Sequence, residues 1–421
     1  MNSVNRRGFI SASVGATAGV TPGPAVGAAQ EAAASAKALN LKITGLKTFL
    51  INVGNVNWIL CKVYTNQGLV GLGEASMIPS KEATVAQAIM EHERFLVGKD
   101  PTDIELLWQG MFRHPRWRGG PILNSAISAV DIALWDILGQ ALGVPIYILL
   151  GGRARTRIRM YIDIDPTPEA FLKVKEMGYT AAKSTAIEPD HLVIEPNRVV
   201  RKSVRNLQAI RQAVGDDFDI AVDAHGRLTT TMAIDFCTRV EELDLLWVEE
   251  ATQLEDLGEL ALLRSKTKTH LATGERSYTK WGFADFCSRH LVDYIQPDVC
   301  HCGGISELKK ISVLAETYRL NVAPHNPQSL VSTLASLHVD ASSAANTIQE
   351  STPGNYGELH AEPWMDDLFD GKGPEIKNGY SALPSLPGLG VTLNEKVAAQ
   401  HPYKPVNRAH YVFGDGSVAD Q

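Results

Sequence analysis

A chain of 421 residues with 44% hydrophobic and 21% charged residues can bury a large core and still carry a second domain. Its net charge of −7 leaves no basic footprint for nucleic acid, no RNA- or DNA-binding motif occurs, and no run approaches the roughly 18 apolar residues that span a bilayer. The cysteines Cys61, Cys237, Cys287, Cys300 and Cys302 are odd in number and scattered, which is not the pattern of a disulfide framework.

Residues 1–40 read as a leader and linker outside the fold. Asn5-Arg6-Arg7-Gly8-Phe9-Ile10, then a weakly apolar stretch and small residues from Val26 to Ala29, resemble a twin-arginine export signal. A basic tail on a cytoplasmic enzyme is the alternative. Ordered sequence is expected from Leu41. Alternating apolar residues in Lys42 to Asn52 and Trp58 to Gly73, with a turn at Asn66-Gln67-Gly68, predict an antiparallel hairpin. Apolar residues at helical spacing from Ala126 to Asp136 predict a helix that stops near Gly143 and Pro145. Residues 41–155 are thus expected to form an α+β domain.

From 156 to 370, strand-like runs end near Tyr161, Lys183, Asp223, Glu249, Glu275, Asp298, His325 and Glu350, with amphipathic segments such as Gly304 to Leu320 between them. Asp223, Glu249 and Glu275 fall 26 residues apart, the length of one strand, one helix and two loops. Equal steps of this size predict βα units of a parallel barrel, whose strand ends converge on one mouth. Residues 371–421 are rich in Pro and Gly and are expected to return over the first domain. The fold class is therefore α/β, a modified (β/α)7β TIM-type barrel with an N-terminal α+β capping domain.

Three carboxylates at one mouth repel one another unless a cation sits between them, and hard oxygen ligands favour Mg²⁺. His225, two residues beyond Asp223, points to the same side on an extended backbone and offers an imidazole for proton transfer. Asp298 and His325 end adjacent strands, where the carboxylate can fix the tautomer of the imidazole and raise its basicity. Lys183 and Glu350 are candidates to bind a substrate carboxylate and to order the His325 side. Taken singly, each has a duller reading as a helix cap, a packed histidine or a surface charge. The run of titratable groups at successive strand ends outweighs it. Glu250 is expected to point away from the mouth. Cys300 and Cys302 flank His301, and the reading as small buried thiols outweighs a soft-metal site, because no second cysteine pair completes a tetrahedral set.

These motifs, with Arg118-Gly119-Gly120-Pro121, Val222-Asp223-Ala224-His225, Val248-Glu249-Glu250, Gly274-Glu275-Arg276, Gln296-Pro297-Asp298, Ala323-Pro324-His325 and Gln349-Glu350, resemble the mandelate racemase subgroup of the enolase superfamily. Within it they are most similar to D-galactonate dehydratase and related acid-sugar dehydratases. The resemblance implies Mg²⁺ on Asp223, Glu249 and Glu275. It implies an Asp298–His325 base that removes the proton α to a carboxylate, His225 as the acid that expels the β-hydroxyl, and Glu350 on the substrate carboxylate or enediolate. It also implies a homo-oligomer and a small sugar-acid substrate converted to a 2-keto-3-deoxy acid.

Departures bear on the substrate. Lys183-Ser184-Thr185 lacks the second lysine of relatives with a Lys-x-Lys base, Ala251 stands where close galactonate dehydratases have Pro, and Pro324-His325-Asn326-Pro327 replaces a Pro-His-Cys-Pro pattern. Gly54 to Trp58 and Ser76 to Ser80 are the candidate lid loops. Racemisation, epimerisation or cycloisomerisation through the same enediolate, and a non-catalytic exported sugar-acid-binding protein, are the alternatives.

Overall fold

The computed structural model describes residues 39–420 apart from 115, 186, 188, 352–362 and 409. The expected export signal lies outside the described residues. From Leu41 onward the chain forms one compact unit.

The N-terminal part opens with an antiparallel meander of β1 (Ile43–Asn52), β2 (Asn57–Thr65) and β3 (Val70–Ala75). Three helices of ten residues or more follow: α1 (Glu82–Glu91), α2 (Ile104–Arg113) and α3 (Pro121–Leu142). Gly71 and Gly73 alternate on β3, and a Cβ on either would fall on the carbonyl oxygen of Ala133 or Ala129 in α3. The two glycines are what lets the sheet lie on the helix backbone.

Helix α3 runs beyond the expected Ala126 to Asp136 because Pro121 opens its first turn and Gly143, at φ 69°, closes it in the left-handed region. Among the described residues it is the one helix long and apolar enough to cross a membrane by length and composition, although Asn124, Asp131 and Asp136 interrupt its apolar run. Its most apolar window is 78% buried inside the fold. Asp131 and Asp136 anchor it. Asp131 accepts from the Ser306 amide at 3.0 Å and hydroxyl at 2.6 Å, and Asp136 accepts from Leu72 N at 2.9 Å and Leu389 N at 2.8 Å. One apolar helix thereby pins the meander, the barrel and the C-terminal segment.

The barrel follows as β4 (Ile158–Asp163), α4 (Pro168–Glu176), β5 (Ala181–Thr185), a short β6 (Val193–Ile194) and α5 (Pro196–Val214). Next come β7 (Asp219–Asp223), α6 (Thr230–Arg239), β8 (Trp247–Glu249), α7 (Leu257–Arg264), β9 (Leu271–Thr273) and α8 (Thr279–Ser288). Last are β10 (Tyr294–Ile295), α9 (Gly304–Tyr318), β11 (Asn321–Val322), α10 (Leu330–Ser342) and β12 (Gln349–Ser351). The parallel ladder runs β4-β5-β7-β8-β9-β10-β11, and β12 pairs back onto β4. Between β11 and β12 the ladder reduces to one bridge, Val322 to Asn346, flanked by two backbone hydrogen bonds.

Small residues at β5, β7, β9 and just after β11, Ala181, Ala221, Ala272 and Ala323, leave the barrel interior to Tyr161 and Trp247, whose rings meet edge to face at 5.4 Å. Trp247 Nε1 donates to Glu249 Oε2 at 3.0 Å, so the packed floor of the barrel directly supports a carboxylate at its mouth. The C-terminal segment lies against the N-terminal part. Pro402 bridges Ile51, Gly388 bridges Pro145, and Glu395 takes Lys47 at 2.6 Å and Lys62 at 2.7 Å.

Candidate active site

Strand register places the acidic residues side by side. Thr185 pairs with Asp223, Asp223 with Glu249, and Glu249 with Ala272, while Glu275 follows two residues after the end of β9. Asp223, Glu249 and Glu275 each bring one oxygen within 4.8 Å of the others. Burial, then the charges of Glu250, Asp223 and Glu249, push the Glu275 carboxyl well above its ordinary range, with His325 opposing. Glu275 Oε2 is buried and makes no hydrogen bond. An all-oxygen donor set whose repulsion Lys183 offsets only in part, with Glu275 Oε2 making no hydrogen bond, fits a hard divalent cation.

Lys183 points into this cluster from β5. Its Nζ lies 2.8 Å from Glu350 Oε1, 3.2 Å from Glu249 Oε1 and 3.6 Å from Asp223 Oδ2. Burial opposes its charge, but Glu249 and Glu350 hold its pKa well above the ordinary lysine value. Its ion pairs are with protein carboxylates, and the Tyr161 ring lies 6.0 Å away. The interior of the strand, with Tyr161 beneath, directs it inward. Glu350 is fixed from both sides, since Oε1 takes Lys183 and Oε2 accepts from Asn326 N at 2.7 Å. Burial opposes its ionisation, and Lys183 and His325 outweigh burial and lower its pKa.

The two imidazoles stand at different members of the triad. His225 Nε2 is 3.3 Å from Asp223 Oδ2, and its amide donates to Asp223 Oδ1 at 2.7 Å. The expected extended backbone is absent: His225 has φ 51° and Gly226 φ 64°, so a tight turn, not strand alternation, brings the ring back to Asp223. Burial and then Arg227 and Lys183 lower the His225 pKa to about 3. His325 Nδ1 is 2.8 Å from Asp298 Oδ2, and its Nε2 is 3.3 Å from Glu275 Oε2. Burial disfavours its charge, yet Glu275 and the Asp298 hydrogen bond push it up to about 10.

One contributor gave no sequence signal. Gln328 Nε2 donates to Asp298 Oδ2 at 2.8 Å, the oxygen that also meets His325. Asp298 Oδ1 accepts from Cys300 N at 2.7 Å, so both oxygens of the carboxylate are held. His301, buried beside Cys300 and Cys302, has Nδ1 3.0 Å from Ser125 Oγ and Nε2 3.2 Å from Arg276 O. Both thiols are buried and pushed well above the ordinary cysteine value by burial. Glu250, at φ 47°, breaks strand alternation and edges the cavity instead of pointing away, pairing with Arg276 and accepting from Thr273 Oγ1 at 2.6 Å.

These groups surround a cavity of about 670 Å³. His225, Glu275, Asp298 and His325 line one part, and Ser76 to Ser80 from the loop after β3 line another. At the end of the candidate lid loop Gly54 to Trp58, Trp58 is 6% exposed and packs in the core, as an aromatic at a hairpin edge commonly does.

Comparison with known proteins agrees with this architecture. Residues 33–151 match the family described as mandelate racemase / muconate lactonizing enzyme, N-terminal domain, and residues 168–397 match the enolase C-terminal domain-like family. D-galactonate dehydratase of Ralstonia pickettii is 35% identical over 387 residues, covering 90% of this chain and 100% of its own. An enolase from Pantoea ananatis, solved with bound D-gluconate and Mg, superposes with a TM-score of 0.83 at 30% identity, covering 91% of this chain and 100% of its own. A mandelate racemase/muconate lactonizing enzyme from Jannaschia gives a TM-score of 0.80 at 30% identity, over 87% of this chain and 99% of its own. With the cap, the barrel and both sequence matches in agreement, the chain belongs to the mandelate racemase / muconate lactonizing enzyme family of the enolase superfamily.

Proposed function

We propose that this chain is a Mg²⁺-dependent hydro-lyase that dehydrates a sugar acid, a galactonate-like aldonic acid first, to a 2-keto-3-deoxy acid. The observation that carries the reading is one imidazole at each end of the acidic triad, His225 against Asp223 and His325 against Glu275. Binding alone needs neither an acid nor a base. The names of the relatives support the class: D-galactonate dehydratases in sequence, and a gluconate-bound enolase in structure.

Asp223, Glu249 and Glu275 would hold the cation, which supplies positive charge against the enediolate that forms when the α-proton leaves. His325 takes that proton at Nε2, because Nδ1 is committed to Asp298. His225 gives a proton to the departing β-hydroxyl, and the enol then tautomerises to the 2-keto acid. In the metal-free site the positive charge sits on His325 and not on His225. Neutralising Glu275 removes the largest upward influence on His325. Burial, Arg227 and Lys183 hold the His225 pKa low, with His325 a smaller contributor. Lys183 lowers the pKa of Glu350 and opposes the rise that burial imposes on Glu249.

The test is a screen of the purified chain with Mg²⁺ against aldonic and aldaric acids, detecting 2-keto acids, with His325→Asn as control. Exchange of the α-proton with solvent deuterium and inversion at that carbon, with no keto acid, would instead establish racemisation or epimerisation, which two imidazoles also permit. We further propose that the folded chain is exported by its twin-arginine segment and assembles as a homo-oligomer. Fractionation of an Arg6→Lys, Arg7→Lys variant and light scattering test these two points.

A further inference from the structure

The C-terminal segment does more than cover the cap. Asn57 Nδ2 donates to Lys404 O at 3.0 Å and Asn57 Oδ1 accepts from Lys404 N at 3.2 Å. Ser80 Oγ donates to Val406 O at 3.1 Å. Beyond that, Tyr411 lies under the Arg227 guanidinium at 4.6 Å, and Val412 and Phe413 pair with Val193 and Ile194 of β6. The chain is therefore tied to the cap at one end and to the barrel at the other. Between the ties, Arg408 and His410 line the same cavity as His225 and His325.

Arg408 differs from the other guanidiniums of that cavity. Arg276 contacts Glu250 and Gln253, and Arg227 contacts Ile187 O and the Tyr411 ring, though Arg276 Nη2 and Arg227 Nε have no hydrogen-bond partner. Arg408 makes no ion pair among the described residues. Glu82 lines a smaller cavity with it and has an oxygen without a hydrogen-bond partner, yet the two do not pair. A guanidinium held by a strap tied at both ends, and left unspent at the wall of a substrate cavity, is placed for a ligand oxygen.

We propose that Arg408 is a specificity-determining residue that binds the end of the sugar acid remote from the reacting carboxylate. The inference rests on the sugar-acid reading of the site. The group recognised is an oxygen acceptor, either the terminal hydroxyl of an aldonic acid or the second carboxylate of an aldaric acid. A donor carried on the C-terminal strap lets the far end of the substrate be read by a different part of the chain from the one that performs the chemistry.

Calorimetric titration of the Mg²⁺-loaded His325→Asn chain with galactonate and galactarate, with and without Arg408→Ala, tests it. The expected result is a loss of affinity of about tenfold or more on removing the guanidinium, at unchanged thermal stability. A larger loss for galactarate identifies the partner as a carboxylate, and equal losses identify it as a hydroxyl. Arg408→Lys should restore part of the affinity. Equal affinities with and without Arg408 would overturn the proposal. Binding without a keto product from the His325 chain would overturn the dehydratase reading alone, and no binding of either acid would overturn both.

Discussion

Asp298 serves His325 through one oxygen and is itself held by Gln328 and Cys300, so the imidazole is oriented before any substrate arrives. His325→Asn keeps the polar shape but not the base. It should lower α-proton exchange by about 10²- to 10⁴-fold, measured by deuterium incorporation. Lys183 has the opposite kind of role, as the buried cation that offsets three carboxylates. Lys183→Met leaves those charges uncompensated and should cost about 3–5 kcal/mol in chelator, read by urea unfolding, with part regained when Mg²⁺ is added. The pH dependence follows from His325, whose folded pKa of about 10 lies above its ordinary 6.5. A group that binds its proton more tightly when folded contributes stability that is complete below about pH 6.5 and is lost as pH rises through about 10. Metal-free wild type should therefore lose stability relative to His325→Asn across that window, with denaturant midpoints as the readout. Parallel curves would refute the assignment.

At the level of elements, β3 and α3 meet backbone to backbone, and the contact exists because Gly71 and Gly73 carry no side chain. Gly73→Ala places a methyl on the Ala129 carbonyl. The strand must lift from the helix, and we expect destabilisation of at least about 1–3 kcal/mol by thermal unfolding. The same strand carries Glu74, which is fully buried and accepts from Ser329 Oγ at 2.6 Å, Ser329 N at 3.1 Å and Ser332 N at 3.0 Å at the start of α10. One cap strand thus anchors the barrel segment that follows His325 and Gln328. A loosened β3 should reduce turnover as well as stability, which a comparison of kcat at fixed temperature would reveal.

The whole molecule couples cap, barrel and C-terminal segment around one charged centre. A cation bound only by the folded triad stabilises the chain by mass action, about 2.7 kcal/mol when present at a hundredfold its dissociation constant. Mg²⁺ should raise the unfolding temperature of the wild type, and Glu275→Gln should abolish most of that rise, measured by scanning calorimetry. An equal rise in both would place the ion elsewhere. The large cavity is closed by segments distant in sequence, Ser76 to Ser80 on one side and Arg408 and His410 on the other. Its shape is a property of the assembled chain.

By itself the sequence determined the repeat and its charges. The 26-residue step from Asp223 to Glu249 to Glu275 is legible because each βα unit has a fixed length and its strand end faces one mouth. Asp298 and His325 follow from the same register. Tertiary structure decided what those residues touch. Lys183 turns to carboxylates because the barrel interior encloses it, and His225 reaches Asp223 through a left-handed turn that no periodicity predicts. Gln328, Arg276 and Arg408 enter the site from loops and from the C-terminal strap, where local pattern carries no information about which distant surface the chain will meet. Periodicity is a property of neighbours along the chain, whereas a cavity is made by residues that become neighbours only when the chain folds.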